Sequence, residues 1–194
     1  AINDDPIAVD DSATVDEDGS VFIDVFANDT DVDGDLIGFD NLFPHGSANN
    51  GSVSIEGLGE GIRYKPDADY TGSDSFTYNI SDGNGGTATG RVNVTINAID
   101  DPPVIDSITD KSVDEGQTLS FTVTASDIEG DVITLSANNL PVGANFDPDT
   151  GEFDFTPDYS QSGEHLVTFV ATANGESSNE STVITVNDVN RAPT

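Results

Sequence analysis

Apolar and polar residues alternate over short stretches throughout this chain, and a repeat of two residues excludes most folds. Over residues 91–97, Val92, Val94 and Ile96 alternate with polar side chains. Successive side chains of a β-strand point to opposite faces, so this stretch predicts a strand with one buried face. Similar patterns predict strands over 20–27 and 119–125, and no stretch shows a helical repeat. Short strands separated by turn residues favour an all-β sandwich.

An acidic segment that ends in proline occurs near the start, the middle and the end of the chain. In residues 2–6, 99–103 and 189–193, a β-branched residue precedes Asn or Asp, and Pro follows four positions after it. Pro fixes its own φ and favours an extended conformation in the preceding residue. The middle copy therefore predicts a stiff linker between two domains, residues 1–101 and 102–194.

The two blocks carry the same signals in the same order. Each has an early acidic turn, an acidic loop around a Gly and an acidic corner before a late strand. The matched segments are 15–19 with 113–116, 31–35 with 127–131, and 66–70 with 156–159. An internal repeat of this length indicates a repeat of whole domains. We therefore predict two sandwiches of about seven strands each, arranged end to end.

The charge of the chain limits its partners. There are 37 Asp and Glu against 5 Lys and Arg, and the net charge is −32. Nucleic acid is excluded as a partner because phosphate binding needs a basic surface. Direct membrane insertion is not expected, because no stretch is long and apolar enough. The chain has no Cys, which excludes disulfides and thiolate zinc sites, whereas hard carboxylate oxygens favour Ca²⁺.

The order of the acidic signals resembles that of a known family. Glu17 and Glu115 lie early in each block, and Asp31-x-Asp33 corresponds to Asp127-x-Glu129. This pattern resembles the cadherin superfamily, in the bacterial cadherin-like form found in tandem arrays of large surface or secreted proteins. The second block resembles the dystroglycan-type cadherin-like subgroup, through segments 140–143 and 153–157.

The resemblance implies calcium between successive domains, with ligands in three groups. The middle joint would use Glu17, Asp67, Asp69, Asn97, Asp100, Asp101, Asp127, Glu129 and Asp131. The top of the first domain would use Asn3, Asp4, Asp31, Asp33, Asp35 and Asp82. The bottom of the second domain would use Glu115, Asp158, Asp188 and Asn190. Asn174 stands where the first domain has Asp82, so a site there should bind more weakly.

Two other interpretations of the acidic segments remain open at this stage. Asp29-x-Asp31-x-Asp33-Gly34 matches the start of an EF-hand loop, although it follows a predicted strand and lacks the final Glu. A run of charges is also, more commonly, only a solvated face. Recurrence at equivalent places in both blocks favours metal binding over a solvated face, and metal binding does not depend on the EF-hand interpretation.

The resemblance implies a calcium-binding module of a large bacterial surface or secreted protein, and hence an extracellular location. Such a module would mediate calcium-dependent adhesion or polysaccharide binding, and calcium would make the interdomain joint rigid. The expected partners are a polysaccharide or another cell-surface protein, including a second copy of itself, and neighbouring repeats in the same chain. The alternative is a spacer that binds nothing but calcium. No pair of carboxylates is distinguished as catalytic, so an enzyme is not expected.

Overall fold

The structure is a computed structural model that describes residues 2–40, 46–57 and 59–190. The chain divides into two compact units, unit 1 (Ala1–Ile99) and unit 2 (Asp100–Thr194). The boundary lies two residues before the position predicted from the linker. Residues 191–193 of the third proline-ended segment fall outside the described residues.

Unit 1 contains seven strands among its described residues. They are β1 (Asp11–Asp16), β2 (Val21–Ile23), β3 (Gly38–Phe39), β4 (Gly51–Glu56), β5 (Gly61–Pro66), β6 (Gly72–Ser81) and β7 (Thr87–Asn97). A four-stranded sheet has the order β1-β7-β6-β3, and a three-stranded sheet has the order β2-β5-β4. The two sheets enclose one apolar core, as expected of a sandwich.

The core of unit 1 follows from the predicted alternation. On β7, Val92, Val94 and Ile96 are at most 3% exposed, whereas Asn93 and Thr95 face solvent. The strand pairs antiparallel with β6 over ten residue pairs and parallel with β1 over six. The first and last strands of the unit are therefore neighbours that run in the same direction.

Unit 2 contains nine strands within residues 100–190. They are β8 (Val104–Ile105), β9 (Lys111–Asp114), β10 (Leu119–Thr122), β11 (Ala125–Ser126), β12 (Thr134–Asn138), β13 (Asn145–Phe146), β14 (Glu152–Phe155), β15 (Gly163–Ala173) and β16 (Glu176–Asn187). The main sheet has the order β12-β15-β16-β9, and a second sheet has the order β10-β14-β13. A short β11-β8 pair adds to these, and β9 runs parallel to β16 as β1 does to β7.

Two predicted strands are shorter than their alternation suggests. The stretch 20–27 forms a strand only over Val21–Ile23, because the next residues turn: the Phe26 N–H donates to the Asp24 carboxylate at 3.3 Å. Val25 nevertheless stays fully buried, so it belongs to the core without belonging to a strand. Likewise, 119–125 breaks after Thr122, where the Val123 N–H donates to the carbonyl of Gly151.

Candidate functional site

The loop that joins β2 to β3 in unit 1 gathers three carboxylates. Asp31, Asp33 and Asp35 each place one oxygen within 4.8 Å of the others. Asp31 Oδ1 accepts the backbone N–H groups of Asp33 at 2.8 Å and Asp35 at 3.2 Å, with Gly34 at a positive φ of 81° closing the turn. The other oxygen, Asp31 Oδ2, is buried and has no hydrogen-bond partner in the described part of the chain. We call these three residues loop cluster 1.

The N-terminal segment and the β6–β7 turn are tied to loop cluster 1. The Asp4 N–H donates to Asp33 Oδ2 at 2.8 Å, and the Asn3 side chain donates to Asp82 Oδ2 at 2.7 Å. Asp82 is 4% exposed. The bond from Asn3 and backbone N–H bonds lower the pKa of Asp82, although burial opposes them. The structure thus brings together all six residues predicted for the top of the first domain.

The equivalent loop of unit 2 forms loop cluster 2, which consists of Asp100, Asp101, Asp127, Glu129 and Asp131. Asp127 Oδ1 accepts the Asp131 N–H at 3.0 Å, which repeats the bond between Asp31 and Asp35. Asp127 Oδ2 is buried without a partner among the described residues, as is Asp31 Oδ2. The Asp101 N–H points to Glu129 Oε2 at 3.4 Å, so the linker joins the cluster.

Burial and neighbouring carboxyl groups raise the pKa of two carboxyl groups in loop cluster 2. The contact with the Asp100 carboxyl raises the pKa of Asp131, and burial and the charge of Asp127 add to the effect. Burial raises the pKa of Glu129, helped by the charges of Asp101 and Asp127. Asn174, which replaces the position of Asp82, donates to Asp100 Oδ1 at 3.0 Å. A cation among these carboxylates would remove the repulsion that favours their protonated forms.

A buried glutamate holds the segment that leaves each unit. Glu17 is 1% exposed, and its Oε1 accepts the Ile99 N–H at 2.8 Å. Glu115 is 3% exposed, and its Oε2 accepts the Val189 N–H at 3.1 Å. The remaining oxygen, Glu115 Oε1, is buried with no hydrogen bond to any described residue. We call Glu17 and Glu115 the linker glutamates.

The other predicted ligands differ in what surrounds them. Asp67 and Glu17 both line a cavity of about 320 Å³ in unit 1. Asp69 is exposed, with a left-handed φ of 58°. The Asp158 carboxylate is already engaged by its own turn, because Ser160 donates both its N–H and its hydroxyl to Oδ1. Asp188 and Asn190 lie exposed after β16, and no side-chain contact brings them to Glu115 within the described residues.

Sequence reasoning missed four side chains beside these groups: Asn84, Asp16, Asp114 and Asn187. Asn84 donates to Asp35 Oδ2 of loop cluster 1 at 2.8 Å, although its Asn-Gly-Gly context indicated only a turn. The predicted ligand Asn97 donates to Asp16 Oδ1 at 3.1 Å, and Asn187 repeats this with Asp114 at 2.8 Å. The repeat itself was the usable signal, since Asn187 occupies in unit 2 the position of Asn97 in unit 1.

The residues of both loop clusters fit a hard divalent cation. Every ligand atom that these side chains offer is a carboxylate oxygen, a hard ligand of the kind that Ca²⁺ prefers. A buried carboxylate oxygen without a partner costs free energy unless a ligand satisfies it. Asp31 and Asp127 both have such an oxygen, at equivalent positions in two loops of the same design.

The sequence also matches known domain families. Residues 3–95 match the family described as "Bacterial Ig domain", and residues 102–187 match the family described as "Putative Ig domain". The chain is a tandem pair of immunoglobulin-like domains. No curated protein matches this Ig-like pair.

Cadherin ectodomains are among the solved structures that resemble the Ig-like pair. The structure of human CDH23 EC21-23 is 16% identical with a TM-score of 0.51, over 93% of this chain and 68% of that chain. This likeness supports a cadherin-like tandem fold. Drosophila N-cadherin EC1-4 is 16% identical with a TM-score of 0.44, over 97% of this chain and 52% of that chain. The likeness of the second domain to the dystroglycan-type subgroup stays a prediction.

Some similar structures belong to much longer proteins. The endo-fucoidan hydrolase MfFcnA4 of glycoside hydrolase family 107 is 19% identical with a TM-score of 0.39, and the match covers 95% of this chain. The Ig-like pair spans only 29% of the length of that hydrolase. Within the described residues, no helix has the length and apolar character needed to cross a membrane.

Proposed function

We propose that this Ig-like pair is a calcium-binding module of a larger extracellular protein and that it serves in adhesion. Loop cluster 1 and loop cluster 2 would hold the metal, and the linker glutamates would complete such sites where domains follow one another. The observation that carries this proposal is the pair of buried, unpartnered oxygens, Asp31 Oδ2 and Asp127 Oδ2. A solvated acidic face would not bury such atoms.

The repeat of the same geometry in both domains supports the proposal. In each loop, the first Asp uses one oxygen to accept backbone N–H groups and keeps the other for a ligand. In each domain, an Asn of the late hairpin turn donates to an acidic residue: Asn84 donates to Asp35 of the loop, and Asn174 donates to Asp100 of the linker. Loops held this way need little rearrangement on binding, which favours affinity.

Calcium would also restrain the linker in this proposal. The backbone of residues 99–101 is hydrogen-bonded within each unit, because Ile99 donates to Glu17 in unit 1 and Asp101 donates to Glu129 in unit 2. A bound cation supplies positive charge that neutralises these carboxylates. The linker residues then keep their bonds without mutual repulsion, and the angle between successive domains is restrained.

Calcium titration by isothermal calorimetry tests the binding step. Asp31→Asn and Asp127→Asn each remove one charge while keeping an oxygen, and each variant should weaken one class of site by at least about tenfold, equal to about 1.4 kcal/mol. The matched control is Glu180→Gln, the same type of charge removal at mid-strand on β16. Wild-type protein that releases no heat with calcium, or a control that weakens binding equally, would contradict the proposal.

Small-angle scattering tests the restraint of the linker. Calcium should narrow the distribution of particle dimensions, and chelator should broaden it. Asp100→Ala with Asp101→Ala should abolish this response while both domains keep their melting transitions. If both melting transitions were lost in the double variant, the linker would be part of the folds themselves, and the proposed role would be refuted.

The proposal also concerns the class of partner that the module binds. Cadherin-like tandem folds support a role in contacts between surface proteins, and we extend the candidates to polysaccharides. The alternative function is a spacer that calcium stiffens and that binds no further partner. Retention on polysaccharides or on immobilised copies of the chain would favour adhesion, and retention on neither would favour the spacer.

A further inference from the structure

The outward face of the β6–β7 pair in unit 1 contains no carboxylate, although the chain carries a net charge of −32. Its side chains alternate with the buried core residues of both strands. They are almost all hydroxyls and amides, including Ser75, Thr77, Asn79, Thr89 and Asn93. The single charged residue on this face is Arg91. We call this surface the hydroxyl face.

The composition of the hydroxyl face is specific to this side of the sandwich. The outward side of the opposite sheet carries Arg63, Lys65 and Glu56, with Arg63 bonded to Glu56. In unit 2, the outward positions of the β15–β16 pair from 166 to 172 and from 177 to 183 are again uncharged. The opposite sheet there exposes Glu152 and holds Asp154 at a half-buried position. The central part of this face therefore carries no carboxylate in either domain, and Glu164 lies beyond it on β15.

A groove crosses the edge of the hydroxyl face. It has a volume of about 260 Å³ and is lined by Asn49, Arg91, Asn93 and Thr95, among others. The Arg91 guanidinium donates to Ser75 Oγ at 2.7 Å and has no ion pair with a carboxylate of the described residues. The side-chain amides of Asn49 and Asn93 form no hydrogen bond with other described residues. The groove therefore presents polar groups that are open to a ligand.

Asp74 also lines the groove, and it is 7% exposed. Its carboxylate accepts the backbone N–H groups of Asn49 at 3.1 Å and Asn50 at 2.9 Å, and the hydroxyl of Tyr64 at 3.0 Å. These bonds hold the loop against β6 and use the Asp74 oxygens fully. The shape of the groove is therefore set before any ligand binds.

We propose that the hydroxyl face and its groove bind a neutral polysaccharide. Hydroxyls and amides both donate and accept, so they match the hydroxyls of a sugar chain in many orientations. The net charge of the chain disfavours a polyanion. The face has no aromatic or large aliphatic residue to anchor a protein interface. The inference rests on the proposed adhesive function and identifies its partner, at a surface separate from the calcium clusters.

Affinity electrophoresis tests this binding with laminarin, xyloglucan and galactomannan as neutral polysaccharides and polygalacturonate as an anionic one. The wild-type chain should be retarded by at least one neutral polysaccharide. Thr89→Glu and Asn93→Glu place a carboxylate on the hydroxyl face and should each weaken binding by at least about tenfold, because the carboxylate either engages Arg91 or must be desolvated by the ligand. The matched control, Ser54→Glu on the outward side of β4, should bind like wild type.

Retardation by no neutral polysaccharide, stronger retardation by polygalacturonate, or equal loss in the Ser54→Glu control would overturn the inference. So would variants that bind normally but lose self-association in sedimentation, since the face would then join two copies. If the Glu variants fail to fold, NMR of the wild type decides: the side-chain amide signals of Asn49 and Asn93 must shift with ligand. Calcium heats measured on Thr89→Glu separate the two proposals, because they should be unchanged.

Discussion

Tyr78 is the centre of the polar network in unit 1, and Tyr78→Phe measures what one buried hydroxyl contributes. Its oxygen lies 3.0 Å from Asp11 Oδ2, 3.3 Å from both carboxylate oxygens of Asp29, and close to the carbonyls of Val9 and Val25. All of these are acceptors when the carboxylates are ionised, so the hydroxyl is the donor that they share. Burial and these two carboxylates raise the pKa of Tyr78.

The expected cost follows from the charge of the acceptors. A hydrogen bond to a charged group contributes about 1.5 to 3 kcal/mol, so unit 1 should lose about 2 kcal/mol at pH 7. For a domain of this size, that loss lowers Tm by roughly 8 to 16 °C. Differential scanning calorimetry should show this in the transition of unit 1 only. The control is Tyr70→Phe, which removes an exposed hydroxyl bonded to the Ser73 carbonyl at 2.9 Å and should cost at most about 1 kcal/mol.

The pH dependence gives a second test of the same network. Burial raises the pKa of Asp11 and of Asp29, and the bond from Tyr78 partly lowers each. A raised carboxyl pKa contributes stability that is fully present below the unfolded pKa, about 3.9 for Asp, and is lost as pH rises through the folded pKa. Tyr78→Phe raises both pKa values further, so its cost should be larger at pH 7 than at pH 3. An equal or smaller cost at pH 7, or a cost no larger than that of Tyr70→Phe, would refute this reasoning.

Two further substitutions probe unit 1. Gly90→Ala should destabilise it by about 2 kcal/mol in urea unfolding, because a Cβ there would meet the ring and hydroxyl of Tyr78 on the neighbouring strand; unchanged stability would show that the ring can shift. Burial opposes ionisation of Asp74, but its hydrogen bonds outweigh burial and lower its pKa. The stability that Asp74 contributes is therefore present above the pKa of the unfolded state and is lost as pH falls through the pKa of the folded state. Asp74→Asn should make the stability of unit 1 depend less on pH in the acid range, and an unchanged pH dependence there would contradict this reasoning.

The sequence was sufficient to predict the sandwich fold because its signals are local. Alternation on β7 needs only one buried face, and Val92, Val94 and Ile96 provide it. It was insufficient where a side chain competes with the strand for backbone N–H groups. Asp24 accepts the N–H of Phe26 and ends β2 early, and nothing in the alternation of 20–27 indicates this.

The candidate site could likewise be predicted from the sequence only in part. Repetition of acidic segments was enough to single out Asp31 and Asp127, which lie in equivalent surroundings in the two loops. Asn84 and Asp16 were missed because their contacts join segments that are 49 and 81 residues apart. The sequence also could not distinguish Asp158, whose oxygen is engaged by Ser160, from acidic residues that keep an oxygen available.

The parallel pairing of an early strand with the last strand has a mechanical consequence for each domain. In unit 1, β1 and β7 run side by side over six residue pairs, so the chain enters at one end of the ladder and leaves at the other. A pulling force on the two termini would act along the strands and load the hydrogen bonds in shear, so that they must break together. The corresponding ladder in unit 2 has only four residue pairs, and under tension that domain would yield first.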